Sequence, residues 1–189
     1  MKKIILLLLT FTILTTCERD DLCPESTPTT PSMIVDFKDN NIIENSKSVF
    51  NLIIIGVEDD SVFPLSTNVP EDSFLREFSG TDLNQISLPL KTDEDQTQFI
   101  LIKEFEIDDN DTPDDFSDDF FTGNQELLTI NYTREDLYVS RACGYKTIFK
   151  TININIDSGT DGPWIFQTIP QNDNLIIEDE TITHYIFSH

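Results

Sequence analysis

The chain reads as an all-β protein: a single antiparallel β-sandwich, Ig-like or a similar Greek key, of about eight strands. Three observations predict this. Several segments alternate apolar and polar residues at period two, as half-buried strands do. These segments are short and are separated by Gly, Pro, Asn, Asp and Ser clusters. No stretch repeats its apolar residues at the 3.6-residue spacing of an amphipathic helix. A β-barrel is the alternative way to close such strands.

The elements follow in order. Met33 to Lys38 predicts a short first strand. Val49 to Val57 holds Leu52-Ile53-Ile54-Ile55, an apolar run suited to a strand buried on both faces. Ile86, Leu88 and Leu90 alternate with Gln85, Ser87 and Pro89. Phe99, Leu101, Phe105 and Ile107 share one parity against Glu104 and Glu106, with Lys103 interrupting the apolar side. Leu128, Ile130 and Tyr132 alternate with Thr129 and Asn131, and Tyr138 to Ala142 resumes as strand before a bend at Gly144. Ile148, Ile152, Ile154 and Ile156 fall on one parity against Thr151, Asn153, Asn155 and Asp157. After the turn Ser158 to Pro163, Trp164 to Ile169 and Asn174 to Phe187 complete the sheets, the last segment as a hairpin turning at Glu178-Asp179-Glu180.

Ahead of the strands lies a different kind of segment. Lys2 and Lys3 precede an apolar run of 11 residues, Ile4 to Leu14, followed by Thr15, Thr16 and Cys17. A positive start, a short apolar stretch and a cut site are the layout of a secretory signal. The run is too short for a bilayer-spanning helix, which needs roughly 20 residues. Leu14-Thr15-Thr16-Cys17 resembles the bacterial lipobox, with Thr16 where Gly, Ala or Ser is usual. The organisation predicted is therefore a lipoprotein signal at 1–16, a Pro/Thr-rich tether at 17–32, and a β-sandwich domain at 33–189 with an acidic insert at 108–119. Cys17 is the expected lipid attachment site; an ordinary secretory signal is the alternative.

Charge and cysteines narrow the function classes. The chain carries a net charge of -23. Removing residues 1–16 takes away two lysines and no acid, which leaves -25. Such a charge argues against nucleic acid and anionic lipid head groups as partners of the chain as a whole. Cys23 and Cys143 remain, and in an oxidising exported compartment two cysteines predict one disulfide, two separate buried thiols being the alternative.

Candidate chemistry is thin. Seven of the twelve residues from Asp108 to Asp119 are aspartates, and Asp109, Asp111 and Asp115 are candidate calcium ligands, since Ca²⁺ takes six to eight oxygens. The other reading is a solvated acidic loop. His184 and His189 sit in or beside strand-like sequence and read as surface or strand residues rather than bases. Among scarce cations, Arg141 is a candidate contact for a carboxylate ligand or partner, and ion pairs of Arg134, Arg141 and Lys146 with Glu135, Asp136 or another local acid are the structural alternative. Tyr132, Tyr138, Tyr145 and Trp164 are candidates for an aromatic sugar platform or for the core.

Cys17-Glu-Arg-Asp-Asp-Leu-Cys23-Pro-Glu-Ser-Thr-Pro-Thr-Thr-Pro31 and the segment Tyr132 to Phe149, with its Ser-Arg-Ala-Cys-Gly-Tyr-Lys string, carry a family resemblance. Leu88-Pro-Leu-Lys-Thr92 adds a third piece. Together they resemble an uncharacterised lipoprotein family of Bacteroidota-type bacteria, a domain of unknown function. The resemblance implies an envelope lipoprotein with cysteines at the positions of Cys17, Cys23 and Cys143, and it transfers no catalytic role. The expectation is a non-enzymatic protein, lipid-anchored to the outer membrane, with no cofactor and an envelope protein as partner. Its role is structural or interactive. A surface module for glycan or calcium is the second reading, and a hydrolase using paired carboxylates the third.

Overall fold

The computed structural model describes residues 22–27, 29–57, 63, 75–77, 83–108, 111, 120–173 and 175–189, with backbone only at 75–77, 120 and 121. The expectations placed on Cys17, the signal at 1–16, Asp109 and Asp115 lie outside the described residues. The described chain is all-β, with nine strands and no helix. No helix among these residues is long and apolar enough to cross a membrane.

The chain divides into two compact units. The larger takes in Thr30–Glu135 and Thr147–His189; the smaller joins the segment up to Thr29 with Asp136–Lys146. In the larger unit, β1 (Met33–Lys38), β4 (Gln85–Leu88), β8 (Gln167–Pro170) and β9 (Tyr185–Ser188) form a four-stranded sheet in the order β4-β1-β9-β8. The second sheet has the order β3-β2-β5-β6-β7, built from β2 (Ile53–Gly56), β3 (Leu75–Glu77), β5 (Gln96–Asp108), β6 (Phe120–Ser140) and β7 (Gly144–Ser158). Pairing is antiparallel except between β1 and β9, which run parallel with Val35 opposite Tyr185.

The sandwich core follows from strand parity. Met33, Val35 and Phe37 on β1 and Ile86 and Leu88 on β4 turn inward and meet Phe99, Leu101, Leu128, Ile130 and Phe149 of the other sheet in one buried cluster. Phe37 packs edge-on to Phe187 at 6.3 Å and tilted to Trp164 at 6.2 Å, and Tyr132 packs edge-on to Phe149 at 5.0 Å. Each such fully buried aromatic stabilises the fold by about 2–3 kcal/mol. As the apolar run predicts, β2 is buried on both faces. Ile54 joins the main cluster, while Ile53 and Ile55 pair across to Ile102 and Ile100 in a second cluster on the sheet's opposite face.

Three expectations are corrected, the first two where a single residue breaks the alternation. In β5 the register shifts between Lys103 and Glu106, and Glu104 takes a left-handed φ of 56°. Phe105 thereby packs with the Ile53 cluster instead of joining Phe99 and Leu101, and Ile107 is exposed. The bulge is held by Glu104 N and Phe105 N, which donate to Phe50 O and Asn51 O. Opposite it, Gly123 has φ +131°, and a Cβ there would stand 2.7 Å from Ile102 Cγ2. In β7, Thr151 has φ 56°. Phe149 and Ile152 consequently both enter the main core, and Ile148 is left off the face it was expected to share.

The third correction concerns 174–187, which does not form a hairpin. Ile177 bridges to Phe149 at the β7 edge, whereas β9 inserts between β1 and β8. Trp164 and Ile165 likewise precede β8 as a buried loop rather than opening the strand.

Candidate functional site

The smaller unit is organised by Cys23 and Cys143, which form a disulfide with an S–S distance of 2.03 Å and a Cα–Cα distance of 4.8 Å. Cysteine counting predicts this pair, and the separate-thiol alternative falls. Pro24 to Thr27 forms a turn closed by Thr27 N donating to Pro24 O at 3.0 Å. Thr27 Oγ1 lies 3.6 Å from Cys143 Sγ. A disulfide sulfur has no proton, so any hydrogen bond there is donated by the threonine. Cys143 sits in the three-residue turn between β6 and β7, where its N–H donates to Ser140 Oγ at 3.0 Å. Gly144, at φ +72°, supplies the left-handed residue that lets so short a turn lead into β7.

This hairpin end presents an unusual set of side chains. Tyr138 and Tyr145 are 62% and 68% exposed, yet they face each other edge-on at 5.4 Å. Arg141 is exposed and makes no ion pair with a described residue. Leu22, next to Cys23, is 81% exposed. The four candidate platform aromatics therefore separate. Tyr138 and Tyr145 are on the surface, whereas Tyr132 and Trp164 are core. Tyr132 spends its hydroxyl on Thr97 Oγ1 at 2.6 Å and Lys91 O at 2.9 Å. The cations separate too: Arg134 pairs with Asp95, just before β5, at 2.8 Å, and Glu135 is taken by Lys150.

A second cluster, which sequence reasoning misses, lies in the larger unit. Glu126 on β6 is fully buried, and its carboxylate accepts from Trp164 N at 2.8 Å and Ile165 N at 3.2 Å. Burial pushes its pKa above the usual carboxylate value, against the lowering effect of those N–H donors and of Ser158. His189 is also buried, edge-on to Trp164 at 6.0 Å and to Phe37 at 5.8 Å, with Nε2 3.1 Å from Lys47 O. His184 is buried rather than at the surface, and its Nδ1 accepts from Ile34 N at 2.9 Å. Burial lowers the pKa of both histidines. Each histidine bonds main chain, so neither stands between a nucleophile and an acid. Only an unbroken polar residue amid β6's apolar alternation hints at Glu126 in the sequence.

A cleft of about 230 Å³ lies between the second half of β7 and β8, bordered by Ile154, Ile156, Ser158, Pro163, Phe166 and Thr168 among others. None of its lining residues is an acid or base. Among the described residues no three His, Cys, Asp or Glu side chains are grouped to hold a metal. Of the candidate calcium ligands, Asp111 is described: it is exposed, in a turn, at φ 60°.

These features define a class: an all-β sandwich domain whose β6–β7 hairpin end is bonded by a disulfide to the segment that precedes the first strand. The chain belongs to a family of unknown function, DUF6452, whose model matches residues 51–188. The match includes Cys143 and the Ser140–Lys146 string, and it begins after Cys17 and Cys23. No curated protein and no solved structure matches the chain.

Proposed function

We propose that this protein is a lipid-anchored lipoprotein of a Bacteroidota-type cell envelope, held to the outer membrane through Cys17 and serving as a non-catalytic structural or interaction accessory. One observation carries the reading: Cys23, six residues beyond Cys17, is joined to the β6–β7 hairpin end by a disulfide. Disulfides persist in oxidising compartments such as the periplasm and cell surface. The bond also places a structural clamp directly after the proposed anchor, which suits a protein whose position matters. The buried carboxylate and histidines support the same reading, because their hydrogen bonds hold loops and strands together.

The test is the mass of the N-terminal peptide from membranes, together with fractionation of C17A. Acyl chains on Cys17 and release of C17A into the soluble periplasm are expected. An unmodified Cys17 in the membrane-bound protein refutes the anchor. In-cell crosslinking that recovers one recurrent envelope protein, lost in C17A, supports the accessory role. A second reading, a surface module for glycan, draws on the exposed Tyr138–Tyr145 pair.

A further inference from the structure

We infer that the β6–β7 hairpin end is a membrane-facing foot, whose Tyr138, Tyr145 and Arg141 sit among the lipid headgroups of the leaflet that holds the anchor. This rests on the lipid-anchor reading. Three observations lead to it.

The first is reach. Cys17 and Cys23 are six residues apart, a span of at most about 20 Å when fully extended. Cys23 is in turn 4.8 Å from Cys143 between Cα atoms. Without the disulfide the anchor would connect to the domain only through the longer Pro/Thr segment. With it, the hairpin end cannot leave the neighbourhood of the bilayer surface.

The second is chemistry. Tyrosines are enriched at membrane–water interfaces, where the ring meets apolar chain and the hydroxyl meets headgroup. Tyr138 and Tyr145 are exposed as a pair, and Leu22 adds an exposed aliphatic side chain beside Cys23. Arginine pairs its planar fork with phosphate oxygens, and Arg141 is exposed between the two tyrosines in sequence.

The third is charge. The chain as a whole is at -23, and an acidic surface is repelled by anionic lipid. Residues 136–146 escape that pattern: they contain one acid, Asp136, and two bases, Arg141 and Lys146. Of the two segments that the disulfide joins, this hairpin end is the one compatible with phosphate headgroups, while Glu18, Asp20, Asp21 and Glu25 beside Cys23 are acidic.

The experiment uses the full lipidated chain in vesicles of phosphatidylethanolamine and phosphatidylglycerol. Tyr138→Trp and Tyr145→Trp serve as separate reporters, and lipid brominated near the headgroup is the quencher. The native Trp164 is 4% exposed in the core and provides the unquenched background. Both reporters are expected to lose most of their added fluorescence in brominated vesicles and to keep it in detergent-free buffer after the anchor is removed by protease. Arg141→Glu is expected to weaken the quenching, more so as phosphatidylglycerol is raised. A lipidated chain whose reporters stay bright in brominated vesicles overturns the inference alone, and leaves the hairpin end free for a soluble ligand such as a glycan. Mass measurement of Cys17 on the same sample separates this from failure of the anchor: an unlipidated Cys17 overturns both readings.

Discussion

Replacing both Cys23 and Cys143 with serine will destabilise the domain by about 2 kcal/mol, well below the figure that loop length alone suggests. The bond spans 120 residues, and closing a loop of that length in the unfolded chain is worth about 5 kcal/mol. In the folded chain, however, Thr147 N already donates to Thr30 Oγ1 at 3.0 Å. The circuit from Cys23 to Thr30 and from Thr147 to Cys143 is only about 11 residues long, so the clamp orders a short loop that would otherwise fray. Ordering that loop costs the native state entropy of the same logarithmic form. The net effect is the ratio of the two loop lengths, (3/2)RT ln of about 11, or about 2 kcal/mol. Urea unfolding measures it, with the m-value unchanged if the native sandwich is intact. The midpoint of thermal unfolding should fall by about 4–8 °C. A loss near 5 kcal/mol would show that residues 22–29 keep their place without the bond. No loss would show that the bond does not constrain the folded protein. Either result refutes the reasoning.

Three further predictions concern the larger unit. Glu126→Ala leaves the buried N–H groups of Trp164 and Ile165 without their acceptor and should cost about 3 kcal/mol in urea unfolding. The pH dependence has a defined sign. His184 and His189 have folded pKa values below 6.5, so their contribution is present above pH 6.5 and is lost as pH falls through the folded values. Glu126, raised above 4.5, contributes in the opposite sense: its stabilisation is present below pH 4.5 and is lost as pH rises through its folded value. Glu126→Gln should therefore lose stability more steeply than the wild type as pH falls from 6.5 to 4.5, and parallel curves would exclude this linkage. Gly123→Ala places a Cβ 2.7 Å from Ile102 Cγ2 and 2.8 Å from Lys103 O at φ +131°, and should cost at least about 2 kcal/mol by thermal unfolding.

Much of the sandwich was legible because alternation reports which face a residue takes. Met33 to Lys38 appears as a strand with its full predicted extent, and Ile53-Ile54-Ile55 is buried on both faces as a continuous apolar run requires. Parity fails at Glu104 and Thr151, because a residue in the left-handed region shifts all those beyond it to the other face. Neither is Gly, Asn or Asp, so neither position announces itself. The placement of β9 was hidden for another reason: pairing between distant strands is decided by packing, to which local pattern is blind. At the site, the disulfide followed from counting cysteines. The Tyr138–Tyr145 pair did not separate from Tyr132 and Trp164, since aromatics on strands look alike until their faces are known. The burial of His184 and Glu126 is a tertiary fact that their neighbours in sequence do not encode.

The parallel pairing of β1 with β9 has a consequence for how the chain acquires its shape. The first strand's inner partner is made of Tyr185 to Ser188, about 150 residues later, and β9 in turn supplies the neighbour of β8. Contacts so distant in sequence form late and slowly. A chain emerging from a ribosome cannot complete the four-stranded sheet until Tyr185 to Ser188 have emerged. Until then Met33, Val35 and Phe37 lack half of their packing, and the polypeptide stays open. The sheet closes only when a strand far along the chain arrives to fill the gap between β1 and β8.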